Sequence, residues 1–488
     1  MHWFNHQLSN SIALETSTRT ITYKTLYEEV NKWADWIQAL KFQRIAIAFD
    51  NKVEWVVLDL ACQQARVCCI PIPLFFSQQQ RQHLLDESQS EVLLSCEQAS
   101  TTGNHIQTPD PHVSACLLTQ TKTVEMPEGT SKVTFTSGST GTPKGVCLSS
   151  QSQWNVAQSL VNRLTLPKVR HLCLLPLSTL LENIAGVYAP LLQGGSVILA
   201  NENERGFSGS RLVSPRSLIE LISNTAPTSI ILVPELLLVL LNACQQGWVP
   251  PSSIKFIAVG GAHVASKLIA KAHAMGLPVY QGYGLSEAVS VSTLNLPDNG
   301  EQVTNEVNSA GKPLGHNQLQ IVDNEVVVTG NIFLGYLNQA NSFYPKCVHT
   351  GDLGYFKNDH LILDGRKKNL IINAFGRNIS PEWIEQELMA SGLFLQVIVC
   401  GDARPFCCAL LVPATPSLNP NTLANTLLTI NNSLPDYAQI GAYTMVSPFS
   451  VENGLLTETG KIKRQQIIDT YADVINSFCQ KPDKVNGE

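Results

Sequence analysis

Short apolar runs of strand length alternate with longer amphipathic runs along most of this chain, and that beat restricts it to an α/β architecture with helices covering the faces of sheets. Arg44-Ile-Ala-Ile-Ala-Phe49 and Val67-Cys-Cys-Ile-Pro-Ile72 read as strands, and residues 22–40 and 55–64 as helices. Strand-like runs recur at Glu91-Val-Leu-Leu-Ser95, Ser196-Val-Ile-Leu199, Ile254-Lys-Phe-Ile-Ala-Val259 and Leu319-Gln-Ile-Val322. The apolar stretch 229–241 is interrupted by Pro234 and Glu235 and reads as a buried strand leading into a helix. No span reaches the ~18 uncharged apolar residues of a membrane helix, so no integral membrane segment is expected.

At 488 residues the chain exceeds the ~250–300 at which a single hydrophobic core stops growing, so at least two domains are expected. The composition changes after Leu363-Asp-Gly365. A basic cluster, Arg366-Lys-Lys368, is followed by separate strands at Leu395-Gln-Val-Ile-Val-Cys400 and Cys408-Ala-Leu-Leu-Val412 and by further helices. The boundary is placed there, giving domains 1–365 and 366–488. A net charge of −6 provides no electrostatic footprint for nucleic acid. The thirteen cysteines form no Cys-x-x-Cys and no zinc spacing, and most sit in apolar runs as small hydrophobes. Met1-His-Trp-Phe-Asn-His-Gln7 has neither the basic start nor the apolar run of a secretory signal. A cytoplasmic location is expected.

The chemistry enters at Thr134-Phe-Thr-Ser-Gly-Ser-Thr-Gly-Thr-Pro-Lys-Gly-Val146, which packs hydroxyls, three glycines and one lysine between apolar ends. Glycines let the backbone bring its N–H groups to an anion, hydroxyls donate to phosphate oxygens, and Lys144 adds a positive charge. Lys144 lies between Pro143 and Gly145, so the Gly-x4-Gly-Lys-Ser/Thr order of a P-loop NTPase is not met. A flexible Ser/Gly linker would not lead through Pro-Lys-Gly straight into Val-Cys-Leu.

Three further segments complete an ordered set: Gln281-Gly-Tyr-Gly-Leu-Ser-Glu287, then His349-Thr-Gly-Asp-Leu-Gly354 with Leu363-Asp-Gly-Arg-Lys-Lys-Asn369, then Leu455-Leu-Thr-Glu-Thr-Gly-Lys-Ile-Lys-Arg464. The His349–Gly354 motif reads as a turn after a strand. Together with the glycine-rich loop, the set resembles the signatures of the adenylate-forming (AMP-binding) enzymes, and within them the fatty acyl-CoA synthetase branch. The resemblance implies a large N-terminal domain of several subdomains and a small, mobile α+β C-terminal one. It implies ATP, Mg²⁺ and coenzyme A as cofactors and a small carboxylic acid as substrate.

The same resemblance assigns roles. Thr136, Ser137, Gly138, Ser139, Thr140, Gly141 and Lys144 would embrace the β- and γ-phosphates. Gly260, Gly261 and Ala262 would form the shelf beneath adenine, with Tyr283 stacked on it and Gly284 part of the same unit. Ser286 would stand near the α-phosphate and Glu287 would hold Mg²⁺, a cation that takes oxygen ligands. Asp352 would accept from the ribose hydroxyls, as an acceptor-only side chain can, with Arg366 a second ribose and phosphate contact. Lys368 would be the pivot between domains, and Lys461 would bridge carboxylate and α-phosphate during adenylation.

One departure concerns the acid. In Leu174-Leu-Pro-Leu-Ser-Thr-Leu-Leu-Glu182 the usual aromatic or histidine is replaced by Thr179, while Glu182 is retained. Leu180, Leu181, Ile184 and Val187 suit a hydrophobic acyl group and equally a buried helix. Leu74-Phe-Phe-Ser77 and Val399-Cys-Gly-Asp402 resemble the fatty-acyl branch, so a medium- or long-chain fatty acid is expected, with aromatic acids next. Phe375-Gly-Arg-Asn-Ile-Ser-Pro381 resembles the loop that meets the thiol of CoA. It is also found in acyl-AMP ligases that load an acyl carrier protein, and the lack of an inserted segment between the domains favours CoA. A non-catalytic nucleotide- or acyl-binding protein is disfavoured by the joint presence of Lys144, Glu287, Asp352, Arg366 and Lys461.

Overall fold

The structure is a computed structural model that describes residues 5–96, 104–136, 143–209, 211–261, 264, 266–296, 309–415, 418–457 and 462–478. Ser137, Gly138, Ser139, Thr140, Gly141, Ala262 and Lys461 lie outside the described residues. Two large sheets organise the N-terminal part. One has eight strands in the order Gly335–Tyr336, Lys144–Leu148, Lys132–Thr136, Cys68–Pro71, Arg44–Ala48, Val92–Ser95, Ser114–Leu117, His105–Ile106. The other has nine strands, and its centre is the parallel series Ser196–Leu199, Arg170–Cys173, Ser229–Leu232, Phe256–Val259, Val279–Leu285. Ser196–Leu199 and Ser229–Leu232 are buried at every position, as expected of parallel strands covered on both faces.

Local chemistry explains the helices. Tyr23–Ala39 starts at Thr22, whose side chain accepts from the Thr25 N–H, and buries Tyr23, Leu26, Val30, Trp33, Ala34 and Ile37 along one stripe. Gln78–Ser88 opens with a reciprocal capping box between Ser77 and Gln80. One large core joins Tyr23–Ala39 to both sheets, a second fills the space around Ile230, Leu237 and Ile257, and Leu84 of Gln78–Ser88 packs into a separate cluster with Ile70, Phe76 and Phe135. A four-stranded antiparallel sheet, in the order Asn317–Val322, Glu325–Gly330, Val348–Lys357, His360–Arg366, follows. Beyond it, residues from Ile371 onward build two cores of their own on the two faces of the sheet Phe394–Cys400, Cys407–Pro413, Ile440–Met445. Among the described residues no helix is long and apolar enough to cross a membrane.

The His349-to-Gly354 motif corrects the reading as a turn. It lies inside the strand Val348–Lys357, hydrogen-bonded to a neighbour on each side. Gly351, at φ 72°, supplies the left-handed residue that shifts the register there, so the Gly-Asp chemistry makes a kink within the sheet.

Candidate active site

In an open sheet with parallel strands, ligands bind beyond the carboxyl ends of the strands, and the motif residues gather there. Phe256–Val259 runs directly into Gly260 and Gly261, the latter at φ 82°. The adjacent strand Val279–Leu285 carries Tyr283 and Gly284, and a single 3-10 turn, Ser286–Ala288, follows it. Gly284 is required by packing: a Cβ there would lie 1.7 Å from the carbonyl oxygen of Ser290 on the returning strand. The return is strained. Val289 and Ser290 have φ of 59° and 91°, and a β-branched residue in that region costs about 1–3 kcal/mol. The turn that presents Ser286 and Glu287 is thus held by its surroundings rather than by its own preference.

Two side-chain clusters form. In the first, Asp352 is buried at the end of a hydrogen-bonded line: its Oδ1 lies 2.6 Å from Arg366 Nε, and its Oδ2 accepts from the Tyr283 hydroxyl at 2.7 Å. Burial pushes the Asp352 carboxyl above its ordinary value, and the Arg366 guanidinium and Tyr283 hydroxyl offset this only in part. Burial, then the neighbouring Asp352 charge, raises the Tyr283 phenol as well. Each carboxylate oxygen keeps a second acceptor direction, so Asp352 can bind ligand hydroxyls without releasing either partner.

The second cluster centres on Tyr336, which the sequence reading did not single out. The two-residue strand Gly335–Tyr336 pairs with the strand that begins at Lys144. The Tyr336 hydroxyl donates to Glu287 Oε1 at 2.8 Å, and the Lys144 ammonium sits over the Tyr336 ring, 5.5 Å from its centroid. Lys144 and Glu287, far apart in sequence, are therefore brought to one aromatic side chain. Burial and the Glu287 charge hold the Tyr336 phenol protonated. The other Glu287 oxygen makes no hydrogen bond among the described residues, which fits a hard divalent cation. Thr136 ends the strand on the far side of the loop from Lys144, and the two face each other in register.

An apolar cavity of about 60 Å³ is lined by residues including Leu164, Leu181, Ala185, Phe256, Ala258 and Val291. Ala258, two residues before Gly260 on the same strand, links the cavity wall to the glycine shelf. Residues 182–188 wind as a π-helix, Glu182–Tyr188, and Ala185 within it, with Leu181 and Ala189 flanking its two ends, lines the cavity. Of the four residues suited to an acyl group by sequence, Leu181 lines the cavity, while Leu180, Ile184 and Val187 are buried in the core. The Thr179 hydroxyl donates to the Pro176 carbonyl at 2.7 Å and closes its own turn.

His171, Cys173 and Glu182 bring metal-type donor atoms within 4.8 Å of one another. They do not make a metal centre. His171 Nε2 is hydrogen-bonded to Glu182 Oε1 at 2.9 Å, and burial together with Glu182 pushes the Cys173 thiol well up, away from the thiolate a metal needs.

The sequence profile of the AMP-binding enzyme family matches residues 2–338, and that of the AMP-binding enzyme C-terminal domain matches residues 368–483. The chain belongs to the AMP-binding enzyme family. Among its adenylate-forming relatives are a 2-succinylbenzoate–CoA ligase of Bacillus cytotoxicus, 27% identical over 80% of this chain and 82% of its own, and the long-chain-fatty-acid–CoA ligase FadD15 of Mycobacterium bovis, 30% identical over 46% of this chain and 41% of its own. The fold matches that of the o-succinylbenzoate CoA synthetase MenE of Bacillus subtilis, solved with the acyl-adenylate OSB-AMP, with a TM-score of 0.75 at 23% identity over 94% of this chain and 96% of that one. It also matches the anthranilate CoA ligase AuaEII, solved with anthranoyl-AMP, with a TM-score of 0.79 at 17% identity over 95% of each chain.

Within this AMP-binding enzyme, Tyr336→Phe removes the hydrogen bond to Glu287 and keeps the ring beneath Lys144. A hydrogen bond to a charged group contributes about 1.5–3 kcal/mol. With Glu287 holding Mg²⁺, as the family resemblance implies, and Tyr336 positioning it, the Mg²⁺ concentration for half-maximal activity is expected to rise roughly tenfold, with the melting temperature little changed; a magnesium titration of the variant with an unaltered midpoint would rule out that positioning role.

Proposed function

We propose that this protein joins a carboxylic acid to coenzyme A at the expense of ATP. The carboxylate oxygen attacks the α-phosphorus, and the bond to the bridging oxygen of pyrophosphate breaks. The thiol sulfur then attacks the acyl carbon of the adenylate, giving up its proton as AMP leaves. Both steps concentrate charge on phosphate and acyl oxygens, so fixed cations and donors matter more than a strong base. The observation that carries the reading is the convergence of Lys144, Tyr336 and Glu287 on one side and Tyr283, Asp352 and Arg366 on the other at the carboxyl ends of the strands.

In this reading Lys144 and the loop from Thr136 to Gly141 hold the β- and γ-phosphates, Ser286 faces the α-phosphate, and Glu287 binds Mg²⁺, which neutralises phosphate charge. Gly260, Gly261, Ala262, Tyr283 and Gly284 receive the adenine, and Asp352 with Arg366 the ribose. Lys461 reaches the reacting carboxylate from the 366–488 domain. The acid is apolar, because the cavity is lined almost wholly by hydrocarbon. Its volume accommodates roughly four to six water-sized groups at ~10–15 Å³ each, which favours a medium-chain fatty or a single-ring aromatic acid over a long chain. A panel of such acids with ATP, assayed for AMP with and without CoA, tests the reading. AMP formed with CoA supports it, whereas acyl-AMP that transfers only to a carrier protein replaces CoA as the acceptor.

The hinge follows from local anchoring. Lys367 Nζ reaches Glu325 at 3.2 Å on the N-terminal side, and Asn369 Nδ2 donates to Glu382 at 2.5 Å on the C-terminal side. Lys368 is exposed between these two anchors, which supports it as the proposed pivot. Proline there fixes φ near −65° and removes the N–H, restricting the φ/ψ change that a domain hinge needs. Lys368→Pro is expected to release pyrophosphate in a single turnover yet make thioester from purified acyl-adenylate at least about tenfold more slowly. A wild-type rate in that second assay would place the pivot elsewhere.

A further inference from the structure

Three polar side chains, His171, Ser229 and Gln193, interrupt the hydrocarbon wall of the cavity. Ser229 and His171 both line it, on parallel strands and directly opposite each other in register. His171 Nδ1 lies 2.9 Å from Ser229 Oγ, His171 Nε2 lies 2.9 Å from Glu182 Oε1, and Glu182 Oε2 accepts from the Leu175 N–H at 3.2 Å. Ser229, His171 and Glu182 are all buried, and Glu182 stands behind His171, away from the cavity. The histidine therefore spends both ring nitrogens inside the line, and Glu182 fixes which way it faces.

Ser229 Oγ is different. Its one hydrogen bond among the described residues is to His171, and a hydroxyl can make more than one. With a neutral His171 donating to Glu182, Ser229 must donate to Nδ1, and its lone pairs stay available as acceptors. With a protonated His171, Nδ1 donates to Ser229, and the serine hydrogen stays available as a donor. A substrate hydroxyl would add a second hydrogen bond at Ser229, worth about 0.5–1.5 kcal/mol, which a purely hydrocarbon acyl group cannot make. Gln193, another polar side chain on the lining, donates instead to the Leu166 carbonyl at 2.6 Å and is only half-buried.

We propose that the acid activated by this protein carries a hydroxyl on its otherwise apolar part, and that Ser229, oriented by His171 and Glu182, recognises it; this rests on the reading of the site as an acid-activating one. A hydroxyl both donates and accepts, so it complements Ser229 in either proton arrangement of the histidine. A ketone would fit only the protonated one. A site built to bond a substrate hydroxyl discriminates against the analogue that lacks it far more strongly than an apolar pocket discriminates between hydrocarbons.

The test compares kcat/KM for AMP formation with six- to ten-carbon fatty acids and with the same acids bearing a single hydroxyl at successive positions along the chain. The wild-type protein is expected to prefer one hydroxylated isomer by about tenfold or more over its parent, and Ser229→Ala is expected to bring that ratio to about one. Thermal melting of the variant verifies that it is folded. Absence of any preferred isomer, or a preference that survives Ser229→Ala, overturns the assignment of Ser229 while leaving acid activation intact. No ATP-dependent AMP from any acid, including aromatic ones, overturns the reading beneath it.

Discussion

Lys461→Ala is expected to lower the rate of acyl-adenylate formation by about 10²–10³-fold, the typical cost of removing a preorganised group that meets charge developing in the transition state. The same variant should form thioester from purified acyl-adenylate at close to the wild-type rate. The asymmetry follows from the proposed role. In that role Lys461, carried by the C-terminal domain, would touch the carboxylate and α-phosphate only while the bond between them forms, and the small domain would then turn away. Lys368→Pro should show the opposite pattern, with the first half-reaction retained and the second impaired. Single-turnover pyrophosphate release and acyl-CoA formation, measured separately on both variants, decide the matter. Equal losses in both half-reactions for Lys461→Ala would remove it from adenylation and with it the argument for two working orientations.

Much of the architecture was legible because it is local. The helix read at 22–40 is Tyr23–Ala39, with Thr22 and Leu40 as its caps, and the strands read near 44–49 and 196–199 are Arg44–Ala48 and Ser196–Leu199. Residues 229–241 divide, as read, into the strand Ser229–Leu232 and the helix Pro234–Gln245. In each case the apolar period and a capping or breaking residue lie within one window. What was missed is non-local. Tyr336 sits in a two-residue strand too short to leave a periodic trace, and only its pairing beside Val146 brings it between Lys144 and Glu287. His171 and Ser229 read as ordinary strand residues until their strands lie side by side. The motif at His349 was misread for the converse reason: Thr-Gly-Asp is turn chemistry, and sheet partners on both sides overrode it.

Asp59→Ala is expected to destabilise the N-terminal part by about 3–5 kcal/mol, the cost of leaving one member of a buried ion pair uncompensated. Lys132 and Asp59 are each about 1% exposed, with Nζ and Oδ1 2.8 Å apart. Around them Asn183 donates to Asp59 at 3.1 Å, the Tyr188 hydroxyl donates to Asp59 at 2.5 Å, and Lys132 donates to Tyr188 at 2.9 Å. The Trp55 and Tyr188 rings flank the ammonium at 5.8 and 5.1 Å from their centroids. Replacing both charges together, as Lys132→Met with Asp59→Leu, removes the uncompensated ion and should recover at least half of the loss; urea midpoints of the wild type, Asp59→Ala and the double variant make the comparison. A double variant no more stable than Asp59→Ala would show that desolvated charge is not what the single change exposes. The pair also has a place in the chemistry. Lys132 begins the strand that ends at Thr136, where the proposed phosphate loop starts, while Asn183 and Tyr188 belong to the π-helix whose Ala185 lines the cavity proposed for the acyl group. In that reading the buried charges tie the two substrate sites to one another. In the double variant the KM for ATP and for the acid should rise together even where stability is restored, and a rise confined to one substrate would show that the network only holds the core.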